Sequence, residues 1–252
     1  MPKIRLITRA DDAGSSRAAN GAVLQAAGVG FMKNVSLMAV GAYINEAAET
    51  LKNKNVCFGM HATLNAEWDR IKWGPLTNMN RESGLVDENG FFLPYPALFH
   101  ETRPAVETII AEYDAQLEKL FAVGFDIAYV DSHMGEERLV EGLLEAKREW
   151  AYKKGLIFHG DVKLNESAFK DEWNSEEIFN HAVSLREGQY LYVTHPALYC
   201  EEMLLTGTKK TSGEDIARTR DRQAKIISDR NLFTKFNEAG VETIRYDEAE
   251  TV

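Results

Sequence analysis

Short apolar runs alternate along the chain with stretches whose apolar residues recur every three or four positions. Ile4, Leu6 and Ile7 open a buried strand that stops at Asp11 and Asp12, and Gly14 and Ser15 follow. That pattern predicts strand, turn, and then a helix over Arg17–Gly30 carrying Val23, Leu24, Ala26 and Ala27 on its apolar side. Val35–Val40 reads as a second strand, Tyr43–Lys54 as an amphipathic helix, and Val56–Met60 as a third strand ending on His61. Further on, Pro104–Val123 is a helix, Ile127–Val130 a strand ending on Asp131-Ser132-His133, and Glu137–Lys153 a helix. Leu156–His159, with Val162–Leu164 as an optional continuation, is a strand region, and Ser175–Arg186 a helix. Tyr190–Thr194 is a strand ending on His195-Pro196, Gly213–Ala239 one long helix, and Val241–Tyr246 the last strand. Short buried strands alternating with amphipathic helices predict parallel βαβ units.

One stretch breaks the rhythm. Thr63–Arg103 holds Trp68, Trp73, Pro75, Phe91, Phe92, Tyr95 and Phe99 and is too long for a plain connector. Aromatic faces suit the apolar C–H faces of a sugar, so a lid or binding insertion is one reading; a satellite core under a long loop is the other. No repeat or linker composition divides Met1–Val252, which predicts a single domain.

Composition narrows the choices. At 252 residues, 44% hydrophobic and 27% charged, the chain can bury a sizeable core. A net charge of −10 opposes binding to nucleic acid or anionic membranes. The apolar runs are strand-length, the N-terminal residues have no signal-peptide architecture, and the only cysteines are Cys57 and Cys200. These features predict a cytosolic protein with reduced thiols.

Adjacent carboxylates at the end of a buried strand resist joint ionisation unless a cation or shared proton relieves them. Asp11-Asp12 therefore reads either as a metal ligand beside a general base or as a helix N-cap. Strand ends at His61, His133 and His195 favour the site, because parallel barrels place all strand C-termini on one face. His100, in the aromatic loop, and His181, within a helix, suit surface or packing roles. His159 also ends a strand and is a further candidate for the pocket.

ADDAGSS with Asn20, then SLMAVG, GMHATLN, DSHMG and THPAL, in that order and spacing, resemble the YdjC-like carbohydrate deacetylases. The resemblance runs from Leu6 to about Pro196. It implies a (β/α) barrel, a TIM-barrel-like variant related to the polysaccharide deacetylases, acting on small N-acetylated sugars such as chitooligosaccharides. It further implies that Asp12, His61 and His133 bind one divalent metal, zinc or magnesium first, with cobalt, nickel or manganese as alternatives. Asp11 would be the general base and His195 the general acid, and a homodimer would be the assembly. The chemistry asks for these types in any case. One carboxylate and two imidazoles leave coordination positions open, and a histidine of near-neutral pKa can protonate a leaving amine.

The chain departs from the family's usual Asn-Ala-Asp-Asp-Phe-Gly: Arg9 stands for the Asn and Ala13 for the Phe. Gly135 replaces a second histidine. Arg9 shares a strand face with Asp11, so it either pairs with Asp11 or receives an anionic group on a phosphorylated or acidic sugar. Arg218, Arg220 and Arg222 read as a solvated helix face, with one able to reach back to an active-site carboxylate. The rival functions are hydrolysis of a phosphoester or glycosidic bond and catalytically silent sugar binding.

Overall fold

The computed structural model describes residues 4–252. Among the described residues seven parallel strands carry the fold: β1 (Ile4–Ala13), β2 (Asn34–Leu37), β3 (Cys57–Ala62), β4 (Ile127–Ser132), β5 (Ile157–Phe158), β6 (Gly188–Thr194) and β7 (Val241–Ile244). Around them lie α1 (Arg17–Ala27), α2 (Ile44–Leu51), the short α3 (Phe99–Thr102), α4 (Val106–Ala122), α5 (Leu143–Lys153), α6 (Ser175–Ser184), α7 (Gly213–Ile227) and α8 (Arg230–Glu238). The strand order is β5-β4-β3-β2-β1-β6, an open half-barrel rather than a closed ring. Every strand pairing is parallel, as the alternation of apolar strands and amphipathic helices requires.

β1 is the hub. It pairs with β6 from Ile4 to Ala10, with β7 from Ile4 to Ile7, and with β2 from Arg9 onward. Two partners thus follow each other along β1, and Asn34 seals the fork between them. Its Nδ2 donates to the Thr8 and Ile244 carbonyls, both at 3.0 Å, and its Oδ1 accepts from the Tyr246 amide at 2.8 Å. Each of these backbone groups would otherwise be buried without a partner. Gly59 of β3 is required for a different reason: a Cβ there would lie 2.2 Å from the Tyr129 ring.

Several elements differ from the sequence expectation. The single helix over Gly213–Ala239 is two helices, because the Asp229 side chain caps α8 by accepting from the Asn231 and Leu232 amides. Val162 makes only an isolated bridge to Thr251, so Val162–Leu164 is not a strand. The helix expected from Glu137 begins at Leu143, after a 3₁₀ turn at Glu136–Arg138. The N-cap of α1 is Ser16, whose hydroxyl accepts from the Ala19 amide at 3.0 Å. Asp11 and Asp12 therefore lie inside β1 and are free of the capping role.

Candidate metal centre and active site

Neighbours on a regular strand point to opposite faces, so Asp11 and Asp12 should diverge. Two distortions bring them together. The β1–β2 register shifts between Ala10 and Ala13, and Asp12 takes a left-handed φ of 66°. A bulge re-aims a side chain in this way, and a non-glycine residue at positive φ persists only where its surroundings hold it. Gly14, at φ 95°, completes the turn, and Asn20 Oδ1 accepts from its amide at 2.8 Å.

His61, near the end of β3, and His133, just after β4, meet Asp12. His61 Nε2 lies 3.4 Å and His133 Nδ1 3.2 Å from Asp12 Oδ1, and the two nitrogens are 3.2 Å apart. Three donors bound to one tetrahedral zinc ion at about 2.0–2.1 Å would stand about 3.3–3.4 Å from one another. Asp12 Oδ1 is also buried without a hydrogen-bond donor. The donor set and the orphaned oxygen both fit a divalent cation.

The far side of each ligand is engaged. A carboxylate can only accept, so partner identity sets each imidazole's tautomer. His61 Nδ1–H donates to Asp131 Oδ1 at 2.7 Å, and the two residues are register partners on β3 and β4. His133 Nε2–H donates to Glu67 Oε2 at 3.0 Å, and its backbone amide donates to the Ala62 carbonyl. Arg220 Nη1 donates to Asp12 Oδ2 at 2.8 Å while its guanidinium rests over the Trp68 ring. Below the His133 turn the buried Lys147 ammonium donates to the Asp131 carbonyl, Ser132 Oγ and Glu136 Oε1.

Charge follows the same pattern. Burial opposes ionisation of Asp12, but Arg220 and His133 outweigh it and hold the carboxyl well below the usual range. Burial alone would depress His61; Asp131, Asp11 and Asp12 instead raise it to about 9. His133 is raised likewise, against burial, by Glu67 and Asp12.

Asp11 and His195 stand beside this cluster. His195 follows β6, its amide donates to Gln223 Oε1 at 2.7 Å, and its Nε2 lies 3.9 Å from Asp11 Oδ2. Burial keeps the His195 imidazole below its ordinary pKa despite Asp12 and Asp11. A cleft of about 310 Å³, bounded by Trp68, Asp171, Arg220 and Gln223, opens against His195.

Arg9 is 7% exposed and pairs with Asp11, through Nε at 2.6 Å and Nη2 at 2.8 Å, so the ion-pair alternative holds. Arg220 is the arginine that reaches back to an active-site carboxylate, Asp12, whereas Arg218 stays on the solvated face, paired with Glu214. His159 makes no ligand contact; its Nδ1 accepts from the Tyr246 hydroxyl at 2.9 Å. His100 is exposed on α3, and His181 packs between Phe169 and Trp173. In the aromatic stretch Trp68, Trp73, Phe92 and Phe99 are buried, and Phe91 and Tyr95 are exposed. Trp73 meets the His133 ring edge-on at 6.0 Å.

Nothing in the sequence singles out Glu67, and the only signal for Asp131 is its place at the end of the strand beside that of His61.

The profile of the YdjC-like protein family matches residues 5–238. A carbohydrate deacetylase of Thermoanaerobacter pseudethanolicus is 25% identical over 247 residues, covering 90% of this chain and 92% of that protein. A proposed cellobiose-phosphate cleavage protein of Enterococcus faecalis V583 superposes with a TM-score of 0.77 at 20% identity, covering 98% of each chain. A Streptococcus mutans CE4 esterase superposes at TM-score 0.56 and 11% identity, over 97% of this chain and 86% of the other. The half-barrel is therefore the fold of those solved structures, and the chain belongs to the YdjC-like protein family.

Proposed function

We propose that this protein is a metal-dependent deacetylase that hydrolyses the acetamide of small N-acetylated sugars, chitooligosaccharides being the expected class. The observation that carries the reading is the convergence of Asp12 Oδ1, His61 Nε2 and His133 Nδ1 within 3.4 Å, beside Asp11 and His195. Names of relatives as carbohydrate deacetylases support it.

Asp12, His61 and His133 would hold the ion. When bound, a divalent cation supplies Lewis acidity, lowering the pKa of a coordinated water and polarising the amide carbonyl. Asp11 takes the proton of the attacking water while that water's oxygen adds to the acetamide carbon. His195 then protonates the amine nitrogen as the C–N bond breaks, releasing acetate and a free amino sugar. Its depressed pKa makes the resting imidazole neutral, so its proton arrives during turnover, and Asp11 is the nearest donor. The cleft beside His195 receives the sugar, with Trp68 as the aromatic surface on its wall.

One carboxylate oxygen with two imidazole nitrogens suits zinc, and magnesium, cobalt, nickel and manganese are the alternatives. The free cysteines support a reducing, cytosolic setting, and a homodimer completes the proposal from the family resemblance. No helix among the described residues is long and apolar enough to cross a membrane. The test is incubation of the metal-loaded protein with N,N′-diacetylchitobiose and assay of acetate, before and after chelation. Release that chelation abolishes and a divalent ion restores is expected. Absence of acetate from any N-acetylated sugar, or release that survives complete metal removal, refutes the proposal.

A further inference from the structure

One buried guanidinium reaches two groups with different tasks. Arg9 Nε and Nη2 fork onto both oxygens of Asp11, at 2.6 and 2.8 Å. Nη1 turns the other way, to Asp131 Oδ2 at 2.8 Å and the Tyr246 hydroxyl at 2.9 Å. Asp131 in turn holds His61 Nδ1 through its other oxygen, and Ser36 Oγ donates to Oδ2 at 2.6 Å. Tyr246 accepts from Arg9 and so donates onward to His159, whose imidazole burial and Arg9 together keep neutral with a pKa of about 4. Every member of this network except His159 is almost fully buried, so its geometry is fixed by packing rather than by solvent.

We propose that Arg9 is a positioning residue that fixes Asp11 for proton transfer and, through Asp131, fixes the ring of His61. The inference rests on the deacetylase reading for its Asp11 limb only. The argument is steric and electrostatic. Asp11 and Asp131 are buried carboxylates on different strands, and a single planar cation between them sets both planes at once. A lysine offers a point charge without the fork, and an asparagine lacks both the reach and the charge. The Arg9 fork holds both oxygens of Asp11, with Oδ2 3.9 Å from His195 Nε2.

The experiment pairs kinetics with a spectrum. Arg9→Asn, Arg9→Lys, Asp11→Asn and Arg9→Asn/Asp11→Asn are compared as zinc enzymes on N,N′-diacetylchitobiose, and Arg9→Asn and wild type also as cobalt(II) proteins. Arg9→Asn should lower kcat by about 10²-fold, as loss of an oriented base does, with KM unchanged. Arg9→Lys should recover only part of that loss. The double variant should be no slower than Asp11→Asn alone, because Arg9 acts through Asp11. Independently of activity, the cobalt d–d bands of Arg9→Asn should shift at unchanged metal stoichiometry, since the His61 ring is no longer held through Asp131. Multiplying losses in the double variant, or wild-type kcat in Arg9→Asn, overturns the Asp11 limb. An unshifted cobalt spectrum overturns the Asp131 limb. If Arg9→Asn does not fold, Arg9→Lys carries both readouts, and wild-type kcat with an unshifted spectrum overturns the proposal. Wild type inert on every N-acetylated sugar removes the functional reading and leaves the spectral arm to decide the Asp131 limb.

Discussion

The metal-free protein should lose stability as pH rises from neutral into the alkaline range, which is opposite to the usual acid-side loss. The perturbation is chelation followed by a pH series. His61 is fully buried among Asp131, Asp11 and Asp12, which raise its pKa from 6.5 to about 9. A group bound more tightly to its proton in the folded state contributes stability that is complete below its unfolded pKa. That contribution is lost as pH climbs through the folded value. The window for His61 is therefore pH 6.5 to about 9, and the full difference corresponds to about 3 kcal/mol. His133, raised by Glu67 and Asp12 against its burial, adds loss in the same direction. Interference lies outside the window: burial holds His159 and His195 below their ordinary values and so acts at acid pH, while the buried Cys57 thiol, raised to about 11, acts above it. The assay is urea unfolding of chelated protein across that window, repeated with zinc present. Zinc should remove the slope, because it replaces the protons, and zinc affinity itself should strengthen as pH rises. A chelated protein whose stability is flat or rising from pH 6.5 to 9 would refute the electrostatic account of the site.

Other substitutions test individual parts. His61→Ala and His133→Ala should each lose bound metal by elemental analysis while circular dichroism stays native. Asp11→Asn and His195→Ala should keep metal and lose about 10²–10⁴ in kcat, and the His195 variant should be less impaired on an acetyl ester, whose leaving group needs less protonation. Trp73, 5% exposed and donating to the Asn65 carbonyl at 2.6 Å, should on change to Ala destabilise the protein by about 3–5 kcal/mol in chemical denaturation. Tyr95→Ala, at an exposed position, should instead raise KM for longer oligosaccharides with an unchanged melting temperature.

Strand ends were the legible part of this chain. Asp11-Asp12, His61, His133 and His195 each follow a short apolar run, and in a parallel sheet that placement alone collects them on one face. What stayed hidden depends on pairing between distant segments. The bulge that turns Asp11 and Asp12 into one site exists only against β2, so no local pattern announces it. Asp131 becomes the orienter of His61 because β3 and β4 align in one particular register. That one of the three α7 arginines can reach back is legible, but which one does so is set by tertiary packing, which takes the Arg220 guanidinium to Asp12. The break at Ser228–Asp229 was readable in principle, since Asp is a favoured N-cap, but the apolar spacing continues across it.

The fork on β1 has a consequence for the order of events during synthesis. β1 precedes the other strands yet pairs with β6 and β7, late in the chain, so one of its edges and the Ile4–Ile7 stretch of the other wait through most of translation. Contacts this far apart in sequence slow folding, because loop closure precedes any reward. Arg9 meets Tyr246 across 237 positions, and Asn34 meets the Tyr246 amide across 212. A nascent chain halted before β7 therefore already holds Asp11, Asp12, His61, His133 and His195, yet lacks the docking that closes the fork and buries the Arg9 network. Chains stalled at that length, with β7 still unpaired, should be open to proteases at Ile4–Ile7 of β1.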